Sequence, residues 1–243
     1  MKRILLIYVY LLLLMGSFNS YSQILFDLVP KQNAVSLSNG INRFQPFTTV
    51  SYARGVHINV FNLLKDDVTL FLDFSERTNF RNDNAFRIIY GGQGNIFQIR
   101  SFHFIFRKTF GITWYRFPHA IKATFVGAEF ELMPGFYKKK YFIALDLYYG
   151  DNLRGRLTNT GDTEDLLKDV GKGWFKPDLA TFRTGINLGY HFSDHWTAYG
   201  NIDFFVARPK NSESFYPITP LLYGYAGLNY IFHVTKQEVV KHE

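Results

Sequence analysis

The sequence predicts an all-β fold: a single antiparallel transmembrane β-barrel of eight to ten strands, polar inside and apolar outside. Three observations predict it. Apolar and polar residues alternate with a period of two in segment after segment from Phe47 to Val234. Beyond the first residues, no stretch long enough to span a bilayer as a helix escapes charge, glycine or strict alternation. The polar faces of the segments are also poor in charge, unlike a sheet surface that meets water.

The chain has 243 residues, 47% hydrophobic and 19% aromatic, which suits one aromatic-rich domain. Lys2 and Arg3, the apolar run Ile4–Met15 and the small residues Ser20-x-Ser22 read as a secretory signal over 1–22. Its 12 apolar residues fall short of the roughly 20 that a spanning helix needs. The absence of cysteine excludes disulfides, thiolate metal sites and the lipid-bearing cysteine of a lipoprotein. Removing Lys2 and Arg3 takes the formal charge from +7 to +5, an excess suited to anionic lipid surfaces.

The last three segments alternate most clearly. Phe182, Thr184, Ile186, Leu188 and Tyr190 lie opposite Thr181, Arg183, Gly185, Asn187, Gly189 and His191. A tight turn at Ser193, Asp194 and His195 leads to Trp196, Ala198, Gly200, Ile202 and Phe204 against Thr197, Tyr199, Asn201 and Asp203. After a loop over 209–217, Leu222, Gly224, Ala226, Leu228, Tyr230 and Phe232 alternate with Tyr223, Tyr225, Gly227 and Asn229. Earlier, Val50, Tyr52 and Val56 oppose Thr49, Ser51 and Gly55, and Val68, Leu70, Leu72 and Phe74 oppose Thr69, Asp73 and Ser75. Phe102, Phe104 and Phe106 oppose His103 and Arg107, and Val126, Phe130 and Leu132 oppose Gly127, Glu129 and Glu131. Ile143, Leu145 and Leu147 oppose Ala144, Asp146 and Tyr148. Residues 84–116 divide in several ways around Gly91, Gly92 and Gly94, which leaves the strand number between eight and ten.

A soluble sandwich or lipocalin-like barrel also alternates, so the polar face decides. On the last three segments it carries Gly, Asn, Thr, Tyr and His, with Arg183 and Asp203 as the firm charges, which is the composition of a narrow interior. Aromatics gather near segment ends, namely Phe192 and Trp196, Tyr148 and Tyr149, Tyr230 and Phe232, as a girdle at the headgroup level requires.

In the final strand, Tyr225-x-Gly227-x-x-Tyr230-x-Phe232 resembles the terminal-strand signal of bacterial outer-membrane barrels. The chain resembles the small members of that porin-like family, such as the outer membrane protein A, X and W types. It departs from their pattern in one tyrosine and in a tail beyond the terminal aromatic. The resemblance implies a Gram-negative outer membrane, insertion by the barrel-assembly machinery, and contact with outer-membrane lipids and with other envelope proteins in a complex. It also implies that both chain ends lie in the periplasm, with longer loops outside. The domain reading is then a signal over 1–22, an N-terminal periplasmic extension over 23–46, the barrel over 47–234 and a short periplasmic tail over 235–243.

Candidate chemistry is sparse. The 151–177 loop predicts a short helix with Asp162 as N-cap, Leu166 and Leu167 as an apolar spot and Gly171 as stop. Asp162, Glu164, Asp165 and Asp169 lack the spacing of a calcium loop and read as a solvated helix turn. His191, Ser193, Asp194 and His195 bring nucleophile and base types together on a tight turn without a visible oxyanion donor. Lys138, Lys139 and Lys140 form a basic turn suited to lipid phosphates, and a secreted chain has no use for nucleic acid. Arg107, Glu129, Glu131, Asp146, Arg183 and Asp203 are expected to point inward as an ion-pair network or as the lining of a narrow pore.

No cofactor is implied. The leading expectation is a non-enzymatic barrel serving as structural element, accessory subunit of an envelope complex or narrow small-solute channel. A barrel-embedded lipid-modifying enzyme and a soluble secreted barrel holding an apolar ligand remain as alternatives.

Overall fold

The computed structural model describes Leu28 and residues 31–42, 45–60, 64–77, 84–116, 121–159, 173–177, 179–209 and 221–233. In chain order the strands are β1 (Gln32–Asn42), β2 (Gln45–Val60), β3 (Leu64–Arg77), β4 (Asn84–Ile99), β5 (Phe102–Arg116), β6 (Ile121–Tyr137), β7 (Tyr141–Asn159), β8 (Gly173–Phe175), β9 (Leu179–His191), β10 (Trp196–Pro209) and β11 (Leu221–His233). Among the described residues there is no helix.

Every pairing is antiparallel. The order runs β1 to β7, then β9, β10 and β11, and β11 pairs with β1 from Gln32↔His233 to Asn42↔Tyr223, so ten strands close a ring. Closure leaves no unpaired edge, the condition for a sheet to sit in hydrocarbon. The short β8 pairs with the far end of β7 through Gly155, Arg156 and Leu157. Each ring strand has 11 to 19 residues. At about 3.3 Å per residue and a tilt near 45°, 11 residues already rise roughly 25 Å, the height of an outer-membrane apolar band.

The upper end of the expected strand number is realised, and two boundaries are corrected. Residues 32–42 are a barrel strand and not part of an N-terminal extension, and Leu28 is buried as well. Val35, Leu37 and Ile41 point outward there while Ala34, Ser36 and Ser38 point inward, and without β1 the edges of β2 and β11 would stand unpaired. The strand expected to end at Tyr148 and Tyr149 continues as β7 to Asn159, past a bulge at Leu153. The signal segment, the helix over 162–171 with its acidic residues, and the tail 235–243 lie outside the described residues.

Short turns at Arg100–Ser101, Lys138–Lys140 and Phe192–His195 share one end of the barrel with the start of β1 and the end of β11. β3, β7 and β10 end at the opposite end of the barrel, called the long-loop end because the sequence runs longest between strands there. Outside, Leu37, Val50, Phe74, Tyr90, Ile143, Leu145, Ile186, Leu188, Ile202 and Leu228 are among many exposed large apolar side chains. A soluble monomer does not carry so continuous an apolar surface.

Aromatics rim both ends of this band. Toward the short turns, Phe102 meets Phe136 at 5.4 Å, and Trp196 meets Tyr230 at 4.9 Å and Phe192 at 6.5 Å. Toward the long loops, Phe86 stacks on Trp114 at 5.8 Å and Tyr149 meets Phe182 at 5.0 Å. Tyr148 does not join the rim, because its place in the alternation turns it inward.

Candidate functional site: the barrel interior

Because each ring strand alternates, every second residue projects into the lumen, and the register brings these residues into layers. Toward the short turns Leu28, Ala34, Ala53, Phe71, Ile105, Met133, Phe142 and Ala144 belong to one apolar cluster, beside inward polar residues such as Ser36, Thr197 and Asn229. Toward the long loops, Ala85, Tyr115, Ala123 and Phe125 pack with Phe175 of β8. Between these layers lie the charges.

All six candidate residues project into that middle layer. Arg107 comes from β5, Glu129 and Glu131 from β6, Asp146 from β7, Arg183 from β9 and Asp203 from β10. Asp146 and Asp203 are 0% exposed, and Arg107, Glu131 and Arg183 no more than 5%. Two further residues complete the pairs of this layer. Arg87 of β4 pairs with Glu129, and Asp73 of β3 accepts from Arg107 at 3.1 Å. Asp73 was legible as a polar-face residue. Arg87 was legible only once Phe86, Ile88 and Tyr90 were assigned outward, which the glycines that follow obscure.

The middle layer is one network with two dense parts, joined where Glu129 bonds Tyr148 and where Glu131 bonds Asp146 and faces Arg107. In the first, Glu129 holds Arg87 with one oxygen and accepts from Thr109 Oγ1 at 3.0 Å with the other, while the Arg107 guanidinium lies 4.0 Å from the centre of the Phe71 ring. In the second, Arg183 lies 3.8 Å from the Tyr148 ring, 4.4 Å from that of Tyr223 and 3.7 Å from an Asp203 oxygen. Asn201 Nδ2 points at Asp146, Asn187 and Asp203 at 3.0, 2.9 and 2.8 Å, and the Tyr225 hydroxyl reaches Asn187 at 3.4 Å. Planar guanidinium groups suit such a site, since they stack on rings and pair with carboxylates at once.

The terminal-strand residues divide by face. Tyr225 and Gly227 face the lumen, while Tyr230 and Phe232 face out among the rim aromatics. Gly227 leaves room for the Tyr199 ring: a Cβ there would come within 2.6 Å of the ring and 2.7 Å of the Leu37 carbonyl. The same ring places its hydroxyl 2.5 Å from Ser36 of β1, which ties β10 to the closing strand.

The turn residues do not assemble a nucleophile. Ser193 Oγ accepts from the backbone N–H groups of His195 and Trp196, at 3.3 and 3.1 Å. His195 Nδ1 faces the Ile231 carbonyl at 2.9 Å, and His191 Nδ1 faces Thr197 at 2.7 Å. Lys138, Lys139 and Lys140 stand exposed on their turn, with Lys138 Nζ 5.5 Å from the Tyr141 ring. Among the described residues, no group of three or more His, Asp or Glu side chains is arranged to hold a metal ion.

No family model matches the chain, and no curated protein matches its sequence. Among solved structures, it is similar to the N-terminal β-barrel domain of Pseudomonas aeruginosa OprF, at 12% identity and TM-score 0.31 over 84% of this chain and 100% of that one. It is similar to the transport unit of the autotransporter AIDA-I from Escherichia coli, at 10% identity and TM-score 0.41 over 93% and 97%. It is also similar to the KdgM porin in complex with disordered oligogalacturonate, at 10% identity and TM-score 0.37 over 82% and 99%. These likenesses are distant, and the fold rests on the chain's own strand pairing and on its two faces. By those criteria the chain has the architecture of a small outer-membrane β-barrel: a closed antiparallel ring, apolar outside and polar inside.

Proposed function

We propose that this protein is a non-enzymatic outer-membrane β-barrel with a closed lumen, serving as a structural or accessory element of the cell envelope. One observation carries the reading: the inward charges of the middle layer have little accessible surface, with Asp73, Asp146 and Asp203 at 0% and Glu129, the most open of them, at 14% of its side chain. A water-filled pore would wet the groups that line it. Here guanidinium groups, tyrosine rings and asparagines occupy the space, in line with the filled interiors of narrow barrels.

Two further features support this reading over its alternatives. A soluble barrel for an apolar ligand needs the opposite arrangement, an apolar lumen and a charged exterior. A lipid-modifying barrel needs a nucleophile and base at the lipid-facing rim, whereas Ser193 Oγ is engaged with backbone N–H groups.

The test has two parts. Cell fractionation should place the protein with the outer membrane, and unheated protein should migrate differently from heated protein on a denaturing gel. The purified barrel in planar bilayers should then stay electrically silent. Stable single-channel steps in the wild-type protein, altered by Arg183→Ala, would replace the closed-barrel reading with a channel.

A further inference from the structure

The outer face of β5 runs Phe102, Phe104, Phe106, Lys108, Phe110, Ile112 and Trp114. Phe102 joins the rim at the short turns and Trp114 the rim at the long loops, and Lys108 stands midway between them. Its side chain is exposed, with Nζ 5.2 Å from the Phe110 ring centre and 5.6 Å from that of Phe130. Among the described residues, Glu76 is outward and next to last in β3, while Arg54 lies within β2, in the same paired row as Lys108 through Leu70 and Gly92, and reaches the start of β1 opposite Asn33. A cation in the middle of a lipid-facing band is among the costliest placements on a barrel surface. Two phenylalanine faces offset that cost only in part.

The ground beside Lys108 is bare. Gly92 of β4 pairs directly with it, and Gly94 pairs with Phe106. Neither glycine answers a steric demand: a Cβ at Gly92 would meet only the Leu70 and Val68 side chains and the Thr69 carbonyl, at 3.4 to 4.0 Å, and one at Gly94 only Val68, at 3.5 Å. Both weaken the strand by lacking a side chain to pack; Gly94 lies two residues before the bulge at Ile96, whereas Gly92 stands in regular pairing and leaves a bare surface that another backbone can approach closely.

We infer that the outer face of β4 and β5 around Lys108, Gly92 and Gly94 is a docking surface for a second membrane-embedded polypeptide, which places a carboxylate at mid-bilayer depth against the Lys108 ammonium. This rests on the membrane reading above and names the surface by which an accessory barrel would join its complex. Charge complementarity selects the occupant. A second copy related by a two-fold axis through this patch would set Lys108 against Lys108, and lipid phosphates lie at the headgroup level, far from the middle of the band.

The first arm of the test uses purified protein folded into phosphatidylcholine vesicles. With no partner present, Lys108→Leu should raise the folding equilibrium constant roughly tenfold or more. An unchanged constant would overturn the inference, because the lysine would then not sit in hydrocarbon; a wild-type chain that never inserts would instead sink the membrane reading.

The second arm measures the size of the protein extracted from its native membrane in mild detergent. Wild type and Lys108→Arg should run as a hetero-complex, while Lys108→Leu, Lys108→Glu and the Gly92→Val/Gly94→Val pair should run as the barrel alone, still heat-modifiable. Reversing the partner's carboxylate to lysine should restore the complex to Lys108→Glu. A wild type that runs alone, a complex of two copies of this chain, or a complex indifferent to Lys108→Leu would each overturn the inference.

Discussion

Removing the guanidinium at the centre of the lumen tests the closed-barrel reading most directly. Arg183 lies 3.7 Å from Asp203 and is packed between the Tyr148 and Tyr223 rings. At that separation and an effective dielectric of about 20, Coulomb's law gives an attraction of about 4.5 kcal/mol. Arg183→Met keeps the bulk of the side chain, loses this attraction and both ring contacts, and leaves Asp203 beside Asp146 with no cation in contact. Losing one partner of a buried pair costs ~3–5 kcal/mol, whereas replacing both is nearly neutral. Equilibrium urea unfolding in vesicles, read from tryptophan fluorescence, should therefore show a loss of that size for Arg183→Met. The double variant Arg183→Met/Asp203→Asn should recover at least half of it, since the two groups act as one unit. A single-variant loss below about 1 kcal/mol, or a double-variant loss equal to the sum of the two singles, would refute the idea that this pair holds the middle layer together.

Other outcomes follow from the same structure. Leu28→Ala should destabilise the barrel by ~2–4 kcal/mol in the same assay, because the side chain is 2% exposed within the apolar cluster near the short turns. Gly227→Val should abolish the compact unheated band by striking Tyr199 and the Leu37 carbonyl; if steric conflict with the ring dominates, Tyr199→Ala in the same chain should restore part of it. Tyr199→Phe alone should cost ~1 kcal/mol, the worth of its hydrogen bond to Ser36. Ser193→Ala should change stability by no more than about 1 kcal/mol, the size of its two bonds to exposed backbone, measured as a shift in urea midpoint.

The barrel was legible in the sequence wherever outward residues were large and inward ones small or polar. In β9, β10 and β11 the alternation of Phe182, Ile186 and Leu188 with Arg183, Asn187 and Gly189 assigns both faces without reference to any neighbour. It failed where the pattern is thin. β1 reads as Val35, Leu37, Asn39 and Ile41 against Ala34, Ser36, Ser38 and Gly40, so its contrast is weak and its outward face is broken by an asparagine. That asparagine is satisfied locally, for Thr48 donates to it at 2.7 Å across the strand pair. In β4 the run Gly91, Gly92 and Gly94 hid the period, and with it the inward place of Arg87.

The inward direction of Arg107, Glu129, Glu131, Asp146, Arg183 and Asp203 followed from parity within each segment, because a side chain's face depends only on the strand's own two-residue repeat. Which of them meet is a different matter. Asp73 and Arg107 are 34 positions apart, Arg87 and Glu129 42, and Asp146 and Asn201 55, so their contacts depend on strand order, register and closure. Those are set by the whole ring at once, through β1 joining β11, and no local pattern carries them. The sequence by itself therefore determined a barrel with an apolar outside and a polar inside; the tertiary structure decided that ten strands close it, which charges from distant strands meet inside it, and that Lys108 lies midway along the outer face of β5 between the Phe110 and Phe130 rings.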